Sequence, residues 1–300
     1  FLYDTESKKL WSAGYQPTGV KPDFYEATFA EDRARIVRED NGITTSLEVI
    51  VSAEDNAEIR RLSLRNTGLY TREIEITSYG EVVLAPQGAD VMHPAFSNLF
   101  VQTEYIPEVT ALIATRRLRS LGETPVWMAH VIAVEDDVNA GIEYETDRAR
   151  FLGRGCSIRK AVSVLEGQPL SNTVGAVLDP IVSLRTRIRI PPGVTKHISF
   201  STIVANSRAE ILDLADKYHD PSIFDRASTL AWTHAQVQLY YLGIDSAEAN
   251  SFQRLANRII YSNPSMRPSS NILKRNTLSV SGLWMHQISG DYPILLVHID

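Results

Sequence analysis

Cysteine is almost missing from this sequence: Cys156 is the only one among 300 residues. An intrachain disulfide is therefore excluded, and the fold must be stabilised by burial of side chains. Long apolar runs are also missing, since none approaches the ~20 residues of a membrane-spanning helix. The first residues lack the basic and then apolar pattern of a signal peptide. With 44% hydrophobic residues, we expect a soluble globular chain.

Several classes of functional site are missing as well. Lys and Arg never form a run longer than the pairs at 60–61 and 116–117, and the net charge is -6, which argues against nucleic acid as a partner. The seven histidines never pair with Cys or another His at ligand spacing, so we expect no metal. A G-x-S-x-G elbow, a Walker A loop and a G-x-G-x-x-G turn after a strand are all absent.

Alternating apolar and polar residues predict strands through residue 205. At 184–190 apolar residues alternate with Arg185, Arg187 and Arg189, which predicts one buried and one solvated face. A turn at 191–193 and a second apolar stretch then predict a hairpin. The same layout occurs at 59–65, 66–68 and 73–77, running on to 82–84. Further strand candidates are 43–51, 111–115, 126–134, 173–178 and 198–204. Strands at this spacing predict an antiparallel β-sandwich over residues 1–205.

Helical periodicity begins after Asn206. Ser207 and Glu210 have the spacing of a capping box, as have Asp245 and Glu248, and each precedes an apolar pattern of helical period. Gly243 is suited to end the helix between these two boxes. The sequence therefore predicts a helical linker of three helices over residues 206–262.

A few polar and aromatic residues have ordinary structural explanations. His130 lies in an apolar strand and is interpreted as a core histidine with its hydrogen bonds satisfied. Trp232 and the pair 240–241 follow helical apolar spacing and are predicted to pack. The acidic pairs 54–55 and 136–137 are interpreted as solvated turn residues.

The most informative segment is SGLWMHQISGDYP at 281–293, where Trp284, His286, Ser289 and Asp291 share a turn marked by glycines such as Gly290. A sugar ring can stack on an indole face while hydroxyl and carboxylate oxygens accept from its hydroxyl rim. The alternative is a connection in which the Trp is core and the Asp is a helix cap. Arg275 lies in the polar loop, 265–281, that precedes the turn.

Several segments in the same order give a resemblance that covers nearly the whole chain. They are FSNLF at 96–100, YETDRARFLGR at 144–154, LSNTVGAVLDP at 170–180, LAWTHAQVQ at 230–238, FQRLAN at 252–257, RPSS at 267–270 and the turn itself. Together they resemble the phosphorylase-like region of bacterial cyclic β-1,2-glucan synthases, in glycoside hydrolase family 94.

The resemblance implies a mainly β and then α fold: an N-terminal β-sandwich, a helical linker, and the start of an (α/α)₆ barrel at 263–300. It implies inverting phosphorolysis, in which inorganic phosphate is the co-substrate and one Asp is the general acid. That Asp is expected beyond residue 300, so no catalytic residue is assigned here. Asp291 matches the place where family members hold sugar hydroxyls. The substrate-binding candidates are Asp291, Trp284, His286, Ser289, Gly290 and Arg275.

This sequence departs from the family pattern near the site. Cellobiose and chitobiose phosphorylases carry an Arg shortly before the Asp, whereas Trp284, Met285 and His286 stand here. Gln287 replaces a glycine that is common in the synthases. Both departures bear on phosphate binding.

The residues leave three hypotheses open. The chain is part of a glucan synthase, part of a free-standing 1,2-β-oligoglucan phosphorylase, or a non-catalytic carbohydrate-binding or structural sandwich. The pattern at Phe1 is typical of the interior of a strand, and the apolar run 294–299 is typical of a buried core segment. Because both ends of the sequence have this character, we expect a piece of a longer protein. The partner implied is a β-glucan. The resemblance places this region on the cytoplasmic side, in a parent anchored in the bacterial inner membrane.

Overall fold

The computed structural model describes residues 1–118, 120, 122–135, 141–165, 167–261, 267–292 and 294. The chain forms two compact units, Phe1–Ala235 and Gln236–Asp300. In the described part of the chain, no helix has the length and apolar character needed to span a membrane. The acidic pair at 136–137 lies outside the described residues.

Strands dominate the first two thirds of the chain, and longer helices follow. The strands are β1 (Leu2–Asp4), β2 (Lys9–Trp11), β3 (Phe24–Phe29), β4 (Arg33–Asp40), β5 (Ile43–Val51), β6 (Ala57–Asn66), β7 (Arg72–Thr77), β8 (Gly80–Glu81), β9 (Val101–Ile106), β10 (Ala111–Arg116), β11 (Trp127–Val134), β12 (Glu143–Asp147), β13 (Pro180–Ile190) and β14 (Thr195–Ala205). The helices are α1 (Gln87–Met92), α2 (Pro94–Asn98), α3 (Arg148–Leu152), α4 (Val162–Leu165), α5 (Arg208–His219), α6 (Ile223–Leu242), α7 (Ser246–Ile260), α8 (Ser270–Leu273) and α9 (Ser281–Trp284).

The described strands form two antiparallel sheets, which confirms the predicted sandwich. The large sheet has eight strands in the order β3-β4-β5-β6-β14-β11-β10-β9. The small sheet follows the order β12-β13-β7-β1-β2, with β8 paired to β13. Apolar side chains from both sheets, such as Leu2, Trp11 and Leu64, form one core. On its other face the large sheet packs Ile59 and Val131 against α5 and the start of α6.

Both predicted hairpins are wrong, because the chain passes from one sheet to the other at each turn. β6 and β14 are neighbours in the large sheet, and β7 and β13 are neighbours in the small sheet. Buried Asn66 links the two corners: its carbonyl accepts from Gly193 N–H at 2.8 Å, and its Nδ2 donates to the Ile190 carbonyl at 2.8 Å. Period-two patterning describes each strand but does not reveal which strand lies beside it.

The burial of Arg185 contradicts the prediction that the arginine face of β13 is solvated. It is 1% exposed, while Arg187 is partly exposed and Arg189 is exposed. The Arg185 Nε donates to Thr77 Oγ1 at 2.9 Å and lies 3.3 Å from a Glu75 carboxylate oxygen. Burial lowers the pKa of Arg185, and the charge of Glu75 opposes that shift. The buried guanidinium is retained because this partner compensates its desolvation.

The stretch 173–178 does not form the predicted strand. The edge segment, defined as residues 170–175, instead runs past the ends of both sheets. Asn172 N–H donates to the Tyr144 carbonyl at 3.0 Å on β12, and Gly175 N–H donates to the Thr103 carbonyl at 2.8 Å on β9. Its backbone groups therefore bind two different edges instead of one continuous partner strand. The strand predicted to continue to 84 also ends early, at Glu81.

The three predicted helices are confirmed as α5, α6 and α7. Ser207 Oγ accepts from Glu210 N–H at 3.2 Å, but the Glu210 carboxylate accepts from Asn206 N–H at 3.1 Å instead of from Ser207. The Ser207 half of the first capping box is therefore in place, and only the Glu210 half is displaced by one residue. The box of Asp245 and Glu248 before α7 is complete.

The prediction that the aromatic residues of α6 are packed in the interior is wrong, because all three are exposed. Trp232 is 54% exposed, and Tyr240 and Tyr241 are each 82% exposed. The buried residues of this helix, among them Phe224 and Ala231, all lie between Ile223 and Ala235. Strands end at Ala205 and α5 begins at Arg208, next to the predicted boundary between sandwich and linker. The assignment of 263–300 to a barrel stays a prediction.

Candidate functional site

The turn that carries the predicted site follows the one-turn helix α9. Gln287 has a positive φ of 61°, and its N–H donates to the Trp284 carbonyl at 2.9 Å, which ends the helical turn. Gly290 has a φ of 77°, and a Cβ at this position would lie 2.8 Å from Val280 Cγ1. The turn therefore requires glycine at residue 290 both for its backbone conformation and for space.

Trp284 and Asp291 are both held by Ser289 and both face solvent. The Trp284 Nε1 donates to the Ser289 carbonyl at 3.3 Å, and Asp291 N–H donates to Ser289 Oγ at 3.4 Å. Trp284 is 64% exposed in this chain. The Asp291 carboxylate is exposed and accepts no hydrogen bond from the described residues. An exposed indole and a free carboxylate in one turn can contact a polar, ring-shaped ligand.

In the part of the chain that the structure describes, no side-chain bond joins the other two predicted residues, His286 and Arg275, to the turn. His286 is exposed, and its backbone N–H donates to the Leu283 carbonyl at 2.9 Å. Arg275 is exposed just after α8, where its N–H donates to the Ile272 carbonyl at 3.0 Å. Within the described residues, neither side chain bonds to Trp284, Ser289 or Asp291. The structure thus groups Trp284, Ser289, Gly290 and Asp291 within the turn, while Arg275 precedes it.

An ionisable cluster that the sequence did not predict lies in the first unit. Asp55 was interpreted as a solvated turn residue, but its Oδ2 accepts from Lys217 Nζ at 2.6 Å and from Tyr218 Oη at 2.8 Å. Burial raises the pKa of Asp55, but the hydrogen bonds from Lys217 and Tyr218 outweigh it and leave that pKa lowered. Glu54 binds Arg226 at 2.8 Å. The cluster joins the β5–β6 turn to α5 and α6, so its role is structural.

His130 is confirmed as a satisfied core histidine. Its Nε2 lies 2.9 Å from Ser78 Oγ and its Nδ1 lies 3.2 Å from Thr202 Oγ1. Burial, together with the charge of Arg60, lowers the pKa of His130 to about 4. The neutral imidazole, with both ring nitrogens hydrogen-bonded, therefore stabilises the sandwich core.

A metal centre and an aromatic surface on the sandwich are two further kinds of site. The described residues contain no group of three or more His, Cys, Asp or Glu side chains that could hold a metal ion. On the sandwich, Tyr15 and Tyr25 are exposed, but their rings meet edge to face at an interplanar angle of 80°. Such a pair does not present the flat surface on which a sugar ring stacks.

Two curated proteins are similar to the chain. A cyclic β-(1,2)-glucan synthase from Rhizobium meliloti is 38% identical over 300 residues, which is 100% of this chain and 11% of that protein. A solabiose phosphorylase from Paenibacillus borealis is 27% identical over 214 residues, which is 71% of this chain and 27% of that protein. The chain therefore spans only a small part of the length of these relatives.

Solved structures and a family model give further comparisons. A putative kojibiose phosphorylase from human microbiome superposes with a TM-score of 0.42 at 9% identity, covering 73% of this chain and 25% of that one. The family model described as the supersandwich domain of glycosyl hydrolase 94 matches residues 1–221. The chain accordingly belongs to glycosyl hydrolase family 94, and its sandwich is the supersandwich domain of that family.

Proposed function

We propose that this chain is part of an enzyme that acts on β-1,2-linked glucan, of the cyclic glucan synthase type. The observation that carries the proposal is the 38% identity to a cyclic β-(1,2)-glucan synthase, which extends through all 300 residues and so includes the turn at 281–293. The similarity to solabiose phosphorylase is lower and covers 71% of the chain. This difference favours the synthase over a free-standing oligoglucan phosphorylase.

The reaction that we propose for this region is inverting phosphorolysis. Inorganic phosphate attacks the anomeric carbon, the glycosidic C–O bond breaks, and a general acid gives its proton to the departing sugar oxygen. The products are a glucose 1-phosphate and a glucan one residue shorter. The relation to a phosphorylase supports this chemistry. The general acid is expected outside this chain, whose own contribution is to hold the sugar.

We assign that contribution to the turn after α9. Trp284 offers an exposed indole whose Nε1 is already bonded within the turn, so stacking a sugar costs little further ordering. Asp291 offers a free carboxylate for two adjacent hydroxyls, and such charge-assisted bonds are stronger than neutral ones. Ser289 fixes both residues, and Gly290 permits the bend. We also assign Arg275 and His286 to this site, as donors to a phosphate or to a sugar hydroxyl.

The test uses the whole protein and measures release of glucose 1-phosphate from β-1,2-oligoglucan. Asp291→Asn keeps the shape and removes the charge, so we expect kcat/KM to fall roughly ten- to a hundredfold with an unchanged thermal midpoint. Asp213→Asn, at an exposed position of α5, is the matched control and should leave kcat/KM unchanged. Unaltered activity of Asp291→Asn, or a loss explained entirely by a lower midpoint, contradicts the assignment.

Trp284 is tested in the same assay. If the indole stacks on a sugar, Trp284→Ala raises KM, while Trp284→Phe retains part of the stacking and part of the affinity. An effect on the thermal midpoint alone indicates a structural role. We also propose that the whole protein is anchored in the inner membrane with this region on the cytoplasmic side, as the resemblance to synthases suggests. Protease protection of this region in spheroplasts, lost on lysis, is the expected result.

A further inference from the structure

The strands at the outer edges of the two sheets differ in how they are protected. Within the described residues, the edge segment bonds to β9 through Gly175 and to β12 through Asn172. β2, the other edge of the small sheet, is only three residues long. Short or covered edges are the usual means by which proteins avoid pairing with other chains.

β3 is the exception. It is six residues long and every residue in it is exposed. In the part of the chain that the structure describes, no strand pairs with it on the side away from β4. It contains no proline or lysine, and its sequence is FYEATF. An uncovered edge of this length and composition can accept a further strand.

The backbone of β3 determines which residues could bond to that strand. Ala30 N–H donates to the Arg33 carbonyl at 2.9 Å, so the residues that bond to β4 are those in phase with Ala30, namely Thr28, Glu26 and Phe24. The backbone N–H and C=O groups of Tyr25, Ala27 and Phe29 consequently point to the open side. The free edge therefore offers three successive outward-facing residues, centred on Ala27.

We propose that β3 is a self-association surface: it pairs antiparallel with β3 of a second copy of this chain, across a two-fold axis at Ala27. In this register Ala27 faces Ala27, and Tyr25 faces Phe29 of the other copy. All outward-facing residues then form hydrogen-bonded pairs, with about six bonds between the chains. The two large sheets become one continuous sheet.

Side-chain charge favours this register over one of its two neighbouring registers. Glu26 faces Thr28 of the other copy, whose hydroxyl can donate to the carboxylate. Sliding by two residues in one direction would place Glu26 opposite Glu26, and like charges directly opposite destabilise a pair of strands. On the other face, Tyr25 of one copy pairs with Phe29 of the other, and this aromatic cross-strand pair occurs twice because of the symmetry.

Sedimentation velocity of the 300-residue chain at increasing concentration tests the proposal. The wild type should show a reversible monomer–dimer equilibrium. Thr28→Glu places like charges opposite each other twice per dimer and should raise Kd roughly two- to thirtyfold, whereas Thr28→Lys should lower it by a similar factor. Thr195→Glu and Thr195→Lys are matched controls, because exposed Thr195 starts the interior strand β14 of the same sheet. Both controls should leave Kd unchanged.

Ala27→Pro gives an independent measurement. It removes the central outward-facing N–H without removing a bond to β4, and edge strands tolerate proline on their open side. We expect at least about a tenfold weaker dimer at an unchanged far-ultraviolet circular dichroism spectrum. If Ala27→Pro unfolds the chain, the Kd values of Thr28→Glu and Thr28→Lys decide the test. A wild type that stays monomeric at every concentration overturns the proposal, as does a Kd that shifts in the same direction with Glu and with Lys.

Discussion

Asn66→Ala is expected to be among the most destabilising single substitutions in the sandwich. The side chain is fully buried, its Nδ2 donates to the Ile190 and Tyr70 carbonyls, and its Oδ1 accepts from Gly68 N–H at 2.9 Å. Alanine leaves the buried Ile190 carbonyl unsatisfied, at a cost of about 1–3 kcal/mol. The bonds to Tyr70 and Gly68 lie nearer solvent, so their loss adds about 0.5–1.5 kcal/mol each.

The expected decrease in the free energy of unfolding is therefore roughly 2–6 kcal/mol. Urea titration followed by far-ultraviolet circular dichroism measures it. The matched control is Thr67→Ala in the same turn, which loses one exposed hydrogen bond to the Gly42 carbonyl and should cost less than about 1 kcal/mol. If Asn66→Ala is no more destabilising than Thr67→Ala, the account of the two corners is wrong.

Three further outcomes are expected. The unfolding free energy of the wild type should fall on the order of 3 kcal/mol from about pH 6.5 to about pH 4, because unfolded His130 binds a proton that the buried imidazole, with its pKa lowered to about 4, does not. His130→Gln, followed by urea titration at each pH, should lack this part of the dependence. Asp55→Asn weakens the bonds from Lys217 and Tyr218 and should cost about 1–3 kcal/mol near pH 7. The pKa of Asp55 is lowered in the folded chain. The difference in unfolding free energy between the wild type and Asp55→Asn should therefore shrink as the pH falls below about 4. Finally, the 300-residue chain alone should release no glucose 1-phosphate from β-1,2-oligoglucan in a coupled assay, because a positioned acid requires an enclosed site and Trp284 and Asp291 are exposed.

The sequence predicts local structure well where one side-chain period covers the whole element. β5 matches its predicted range of 43–51, and α7 begins at the capping box of Asp245 and Glu248. The sheet assignment of β7 and β14 could not be predicted, since it depends on contacts that Asn66 makes with distant residues. Burial of Arg185 was missed for a related reason: its partner Glu75 lies on another strand.

The candidate site shows a similar division. The grouping of Trp284, Ser289 and Asp291 follows from their positions in one glycine-marked turn and was predictable. The open edge at β3 was not, because exposure on both faces depends on where a sheet ends. For Trp232 the prediction was wrong: the helical apolar spacing predicted burial, but this side chain is about half exposed.

The pairing of β6 with β14 has a consequence for biosynthesis. The paired residues nearest to this corner, Arg65 of β6 and Thr195 of β14, are 130 positions apart. At a translation rate of about 5–20 residues per second, β6 emerges from the ribosome roughly 6–25 s before its neighbour. During that interval the apolar residues Ile59, Leu62 and Leu64 have only one flanking strand, β5, to shield them. The nascent chain should therefore be a client of ribosome-associated chaperones until residue 205 has been synthesised.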